Sequence, residues 1–169
     1  PPIRLGSRVR VPFAPEAPLS GVLRTLQPNE LLWYRRTFKP PALASGERLI
    51  LHFEAVDWVC AVYVNGRIAT THVGGYLPFD VDITPYLASA GAQAELMLCV
   101  YDPSHAGMQP RGKQSLPPGG IWYSAQTGIW HSVWAELVPP TPITSLSRIG
   151  TSHGPLTLRA PPPSSAPSG

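Results

Sequence analysis

Trp58-Val59-Cys60-Ala61-Val62-Tyr63-Val64-Asn65-Gly66-Arg67-Ile68-Ala69-Thr70-Thr71-His72 decides the fold class. The first seven residues are dense in Val, Tyr and Trp, the composition of a strand packed on a pleated surface. Asn65-Gly66 follows, the strongest short signal for a two-residue hairpin turn, because both positions of a type I′ turn need positive φ. Arg67 to His72 is the returning strand, and Gly74-Gly75 breaks it. The same logic extends outward. Trp33 to Lys39 alternates with period two, and Pro40-Pro41 stops it because proline cannot donate to a ladder. Arg48 to Ala55, Phe79 to Ile83, Ala94 to Tyr101 and Ile129 to Val138 read as further strands. In Phe79 to Ile83 the residues Phe79, Val81 and Ile83 face inward and Asp80 and Asp82 outward. Thr84-Pro85-Tyr86-Leu87 reads as one helical turn, with Thr84 as cap and Pro85 at the first helical position. About seven short antiparallel strands in one domain predict an all-β fold, a jelly-roll β-sandwich.

Composition agrees. The chain has 169 residues, the size of about one domain, with 22 prolines and 15 glycines. Charged residues make up only 14% and there are two lysines, which excludes coiled coils and helical bundles. The formal net charge of +3 comes from scattered arginines, with no basic stripe, so nucleic acid is not an expected partner. No apolar run approaches the length of a membrane helix, and no membrane partner is expected. The chain starts at Pro1-Pro2, which reads as a fragment, and the compartment is not legible. Cys60 and Cys99 sit in apolar strands and read as two buried thiols rather than a disulfide.

Chemistry is sparse. His52, His72, His105, His131 and His153 show no metal-ligand spacing, so neither a metal nor any other cofactor is expected. No Ser or Cys occupies a nucleophile elbow. Gly74-Gly75 and Gly119-Gly120 read as turns, not phosphate cradles. Asp80 and Asp82 share a strand face about 7 Å apart by strand rise, and read as a solvated outer face. Trp130 and Trp134 read as core on the final strand. Trp122 and Tyr123, at the end of the long Asp102 to Gly128 loop, fit either core packing or a sugar-stacking role. From Pro139 the composition shifts: the last 31 residues hold eight prolines and no acid. Ile143 to Ile149 reads as the first strand of something else, and Ala160 to Gly169 as a disordered end.

Trp33-Tyr34-Arg35-Arg36-Thr37-Phe38 resembles the first core strand of the amino-terminal sugar-binding domain of glycoside hydrolase family 2, the β-galactosidase and β-glucuronidase family. Further pieces follow in order: Val11-Pro12-Phe13, Ala55-Val56-Asp57-Trp58, Val62-Tyr63-Val64-Asn65-Gly66, Gly74-Gly75-Tyr76, Gln109-Pro110-Arg111-Gly112-Lys113-Gln114, Gly119-Gly120-Ile121-Trp122-Tyr123 and Thr127-Gly128-Ile129-Trp130. The resemblance covers about residues 8 to 139. It implies a galactose-binding-like jelly roll over 1–139. Residues 140–169 would then be a Pro/Ser-rich tail, disordered or starting a second domain.

The resemblance also implies partners: a β-glycoside, and the immunoglobulin-like and catalytic (β/α)8 barrel domains of a parent enzyme. The barrel would carry both catalytic glutamates, so no residue here is expected to be catalytic. Asn29-Glu30 mimics the family's acid/base pair but precedes a sandwich strand and is rejected. Asp102, with Arg111, Lys113 and Gln114 just beyond, would reach the sugar pocket together with Trp122 and Tyr123. Asp102 before Pro103 also suits a local Asx turn. A stand-alone carbohydrate-binding module and a protein-interaction sandwich are the alternatives.

Overall fold

A computed structural model describes residues 5–88 and 91–143, and the backbone of Ser147–Ile149 and Thr157–Arg159. The expected sandwich is present. Its strands are β1 (Leu31–Phe38), β2 (Arg48–Phe53), β3 (Val56–Asp57), β4 (Val59–Val64), β5 (Arg67–Val73), β6 (Phe79–Asp82) and β7 (Ala94–Tyr101). Then come β8 (Gln114–Ser115), β9 (Tyr123–Ser124), β10 (Gly128–Ile129), β11 (Val133–Val138), β12 (Ser147–Ile149) and β13 (Thr157–Arg159). One sheet runs β1-β7-β4-β5 and the facing sheet β11-β2-β6, all antiparallel. Alternate residues of both sheets fill the space between them: Leu49, Leu51 and Phe53 from β2 meet Val62, Val64 and Leu98 from β4 and β7.

The hairpin has the expected register, Tyr63 opposite Ile68 and Val64 opposite Arg67. Asn65 and Gly66 both have positive φ, 49° and 77°, as a type I′ turn requires. Val81 and Ile83 are buried and Asp80 is exposed, in line with their strand parity.

Four local expectations are corrected. The final strand is interrupted: β10 ends at Ile129 and β11 starts at Val133. At the break the Trp130 indole N–H donates to the Gly75 carbonyl at 2.8 Å, and the Ser132 N–H donates to Glu54 Oε2 at 3.3 Å. Ile129 and Val133 both face the core, so alternation leaves Trp130 and Trp134 on the other side and neither tryptophan enters the core. Trp134 is 47% exposed and stacks on His52, and Trp130 is half-buried.

Thr84 does not cap its turn. It is the first residue of a short 3-10 turn, Thr84–Tyr86, behind Ile83. Its hydroxyl instead accepts from the Leu49 N–H at 2.8 Å, tying the turn to β2. Cys60 is buried but Cys99 is only half-buried; both are free thiols. Cys60 lies opposite Val100, so Cys99 points to the other face of the sheet. In the tail, β12 pairs antiparallel with β13, whereas Ala160 to Gly169 lies outside the described residues.

Candidate functional site

The sheet pairing builds the site. Val59 at the start of β4 lies opposite Tyr101 at the end of β7. Asp57, just before β4, and Asp102, just after β7, therefore meet at the same end of the sandwich. They are 4% and 3% exposed. Asp57 ends β3 one residue before β4 and Asp102 follows β7, so each buried carboxyl must find partners locally or stay neutral.

Asp102 finds them. Its Oδ1 accepts from the Ser104 N–H at 2.7 Å, the Asx turn that Pro103 suggests, and its Oδ2 accepts from the Thr127 hydroxyl at 3.1 Å. Burial raises its pKa, while the Ser104 and Thr127 bonds pull it back. Thr127 is fully buried, and its N–H donates to Glu16 Oε2 at 3.1 Å. Glu16 Oε1 accepts from the Leu26 N–H at 3.3 Å. One chain of hydrogen bonds thus runs from the N-terminal loop through Glu16 and Thr127 to Asp102.

Asp57 is different. Its Oδ1 is buried with no hydrogen-bond partner. Burial, reinforced by the nearby Asp102 charge, pushes its pKa up to about 7, and the Gln114 side chain partly offsets this. Gly75 packs directly against it; a Cβ at that position would run into Asp57 Oδ1. Burial and the Asp57 charge also raise the Tyr76 pKa.

The long loop wraps this centre. Arg111 is spent inside it: its Nη1 donates to the carbonyls of His105 and Gly107 at 3.1 and 3.2 Å. Gln114 accepts through Oε1 from the Gln126 N–H at 2.6 Å and lies in β8, parallel to β9, where it pairs with Tyr123. The Lys113 carbonyl accepts from the Tyr123 N–H at 2.7 Å, and the Lys113 residue is exposed. Trp122 and Tyr123 are 44% and 68% exposed, and Tyr76 and Ile121 are also exposed.

Asp102 and Gln114 thus gather around Asp57, Arg111 braces the loop, and Lys113, Trp122 and Tyr123 form an outer rim. Asp57, Glu16, Tyr76 and Thr127 are the participants that sequence reasoning did not name as site residues. A lone acid inside the apolar run Ala55-Val56-Asp57-Trp58-Val59 was the available signal for the first. Chemically, the centre offers two buried carboxyl groups whose pKa values burial raises, at a loop end that also carries exposed aromatic side chains.

The fold and its loop end define an antiparallel β-sandwich domain with a buried polar centre and exposed aromatic side chains. The chain belongs to glycosyl hydrolase family 2: residues 9–133 match the model of the sugar binding domain of that family. A β-galactosidase of Thermoanaerobacter pseudethanolicus is 33% identical over 111 residues, covering 66% of this chain. A β-glucuronidase of Paenibacillus borealis is 34% identical over 90 residues, 53% of this chain. The chain spans only 14% of the length of either relative. Among solved structures, a putative β-galactosidase from Bacteroides fragilis superposes with a TM-score of 0.54 at 26% identity, covering 71% of this chain and 18% of that one. The fold is shared with a Faecalibacterium prausnitzii β-glucuronidase, with a TM-score of 0.65 over 94% of this chain and 31% of that one at 20% identity.

Proposed function

We propose that this chain is the non-catalytic sugar-binding domain of a family 2 glycosidase, supporting and lining a pocket whose catalytic carboxyls lie on a (β/α)8 barrel elsewhere in the parent enzyme. In this reading residues 1–139 are the sugar-binding domain and 140–169 begin the connection to an immunoglobulin-like domain. The observation that carries it is the loop end itself: exposed Trp122 and Tyr123 in the same loop system as a centre whose carboxyls are buried. Asp102 has both oxygens engaged, and Asp57 is sealed under Gly75. A retaining glycosidase needs two accessible carboxyls about 5 Å apart, one to attack and one to protonate. Buried carboxyls that shape a loop do neither.

The roles divide accordingly. Trp122 and Tyr123 offer their faces to the C–H side of a β-glycoside, Lys113 orients its hydroxyls, and Asp102, Arg111 and Gln114 hold the loop in place. The test is titration of the purified chain with aryl β-galactoside, β-glucuronide and β-mannoside, followed by intrinsic tryptophan fluorescence and by product release. The expected result is no turnover, with saturable quenching lost in Trp122→Ala. Turnover that survives rigorous purification would overturn the reading. Tight glycan binding unchanged by added barrel would favour a stand-alone carbohydrate-binding module instead.

A further inference from the structure

The tip of the β4–β5 hairpin is clasped by two other segments. The Asn65 N–H donates to the Glu95 carbonyl at 2.9 Å, and Asn65 Oδ1 accepts from the Glu95 N–H at 2.9 Å. Asn65 Nδ2 donates to the Tyr86 carbonyl at 2.9 Å. One residue thus joins the turn to β7 and to the Thr84–Tyr86 turn. The partners fix the amide's orientation, because a carbonyl accepts only from its NH2 end and an N–H donates only to its oxygen. Arg67 ties the same turn: its Nη1 donates to the Pro85 carbonyl at 3.3 Å, and its guanidinium lies 4.9 Å from the centre of the Tyr86 ring.

Asn65-Gly66 is also a reactive pair. A glycine after asparagine leaves its backbone nitrogen unshielded, able to attack the asparagine side-chain carbonyl. Gly66 is exposed, its N–H lies beyond the last ladder pair of Val64 with Arg67, and nothing stands within 4 Å of a Cβ there. The clasp opposes the attack. Ring closure expels Nδ2, so it proceeds only as the bond to Tyr86 is given up, while the Glu95 N–H holds the other end of the amide.

We propose that Asn65 is a deamidation site gated by this clasp: the closed turn resists reaction, an opened one reacts, and the products cannot restore the clasp. The Gly66 nitrogen loses its proton to solvent base and bonds to Asn65 Cγ. The Cγ–Nδ2 bond breaks, and Nδ2 takes up a proton and leaves as ammonia. Water then opens the resulting succinimide at either carbonyl, giving aspartate or isoaspartate. Aspartate offers acceptors only, so one oxygen faces the Tyr86 carbonyl with no proton to donate. Isoaspartate carries the chain through the side-chain carboxyl, which adds a methylene to a two-residue turn whose length sets the hairpin register. An opening that ends in reaction is therefore not reversed.

Peptide mapping by mass spectrometry, with chromatographic separation of aspartate from isoaspartate, tests this on the full chain held in mildly alkaline buffer. Reaction from the folded state draws on the open fraction alone, so conversion at Asn65 is expected to be at least about tenfold slower than in the same chain unfolded in guanidinium chloride. Arg67→Ala loosens the clasp, and is expected to speed conversion in the folded chain and leave the unfolded rate unchanged. Asn65→Asp is expected to lower Tm. Should Arg67→Ala lose its β-sheet signal in circular dichroism, the wild-type ratio and Asn65→Asp decide. Equal rates in folded and unfolded chain overturn the proposal, as does no conversion in the unfolded chain. A folded Arg67→Ala chain that converts no faster than wild type also overturns it, as does an Asn65→Asp chain of wild-type stability.

Discussion

Thr127 donates its hydroxyl to Asp102 Oδ2 at 3.1 Å, and both residues are buried. The bond joins the segment before β10 to the loop after β7, two parts of the chain that share no strand ladder. Asp102 gains a donor that water cannot supply there, and Thr127 gains an acceptor for a hydroxyl with no access to solvent.

Thr127→Val keeps the shape and removes the donor. Leaving a buried acceptor unsatisfied costs about 1–3 kcal/mol. Urea unfolding is expected to show that loss in Thr127→Val and little loss in Thr127→Ser. Equal stability of wild type and Thr127→Val would mean that Asp102 is satisfied without it.

Stability should fall as pH rises. The folded-state pKa of Asp57 is pushed up to about 7, while the unfolded side chain titrates near 4. Between those values the folded chain holds a proton that the unfolded chain has released. The stabilisation is therefore full below about pH 4 and is lost as pH climbs through about 7. Asp102 and Glu16 are shifted in the same direction by burial. Thermal melts are expected to give a lower Tm at about pH 8 than at about pH 5, and Asp57→Asn should flatten much of that difference. A Tm that rises over the interval contradicts the assignment.

Gly75→Ala is expected to be among the most damaging single-methyl changes in the domain. The new Cβ meets the buried Asp57 carboxyl, and overpacking of this kind costs roughly 1–3 kcal/mol. Gly75→Ala combined with Asp57→Ala should recover part of the loss in a double-mutant cycle.

At the hairpin the cost is of another kind. Nothing lies within 4 Å of a Cβ at Gly66, but its φ is +77°, which a β-branched residue resists. Gly66→Val should lose more than about 1 kcal/mol through the backbone alone. A neutral outcome in chemical denaturation would exclude the type I′ geometry.

How far the sequence reaches depends on how local the determinant is. Period-two alternation and Asn65-Gly66 act within a few residues, so the strands and the hairpin register are legible. The break at Trp130–Ser132 is not, because its cause is remote: the Gly75 carbonyl that captures the Trp130 indole belongs to the segment after β5. The parity of the segment is unchanged across it: Ile129 and Val133 face the core, and Trp134, expected in the core for its aromatic bulk, lies on the outer face. The site divides the same way. Asp102 and its Asx turn are visible in Asp102-Pro103, whereas the convergence with Asp57 depends on β4 pairing with β7.

The bond from the Thr127 N–H to Glu16 spans 111 positions of sequence. During synthesis Glu16 leaves the ribosome long before its partner exists. β1 likewise waits for β7, with Leu31 pairing to Tyr101. The first thirty or so residues cannot settle in their native place until nearly the whole sandwich has been made. Closure is then a late event of high contact order, which slows folding. A nascent chain stalled before residue 127 would present the Glu16 loop and the β1 edge to chaperones and proteases as unfinished surface.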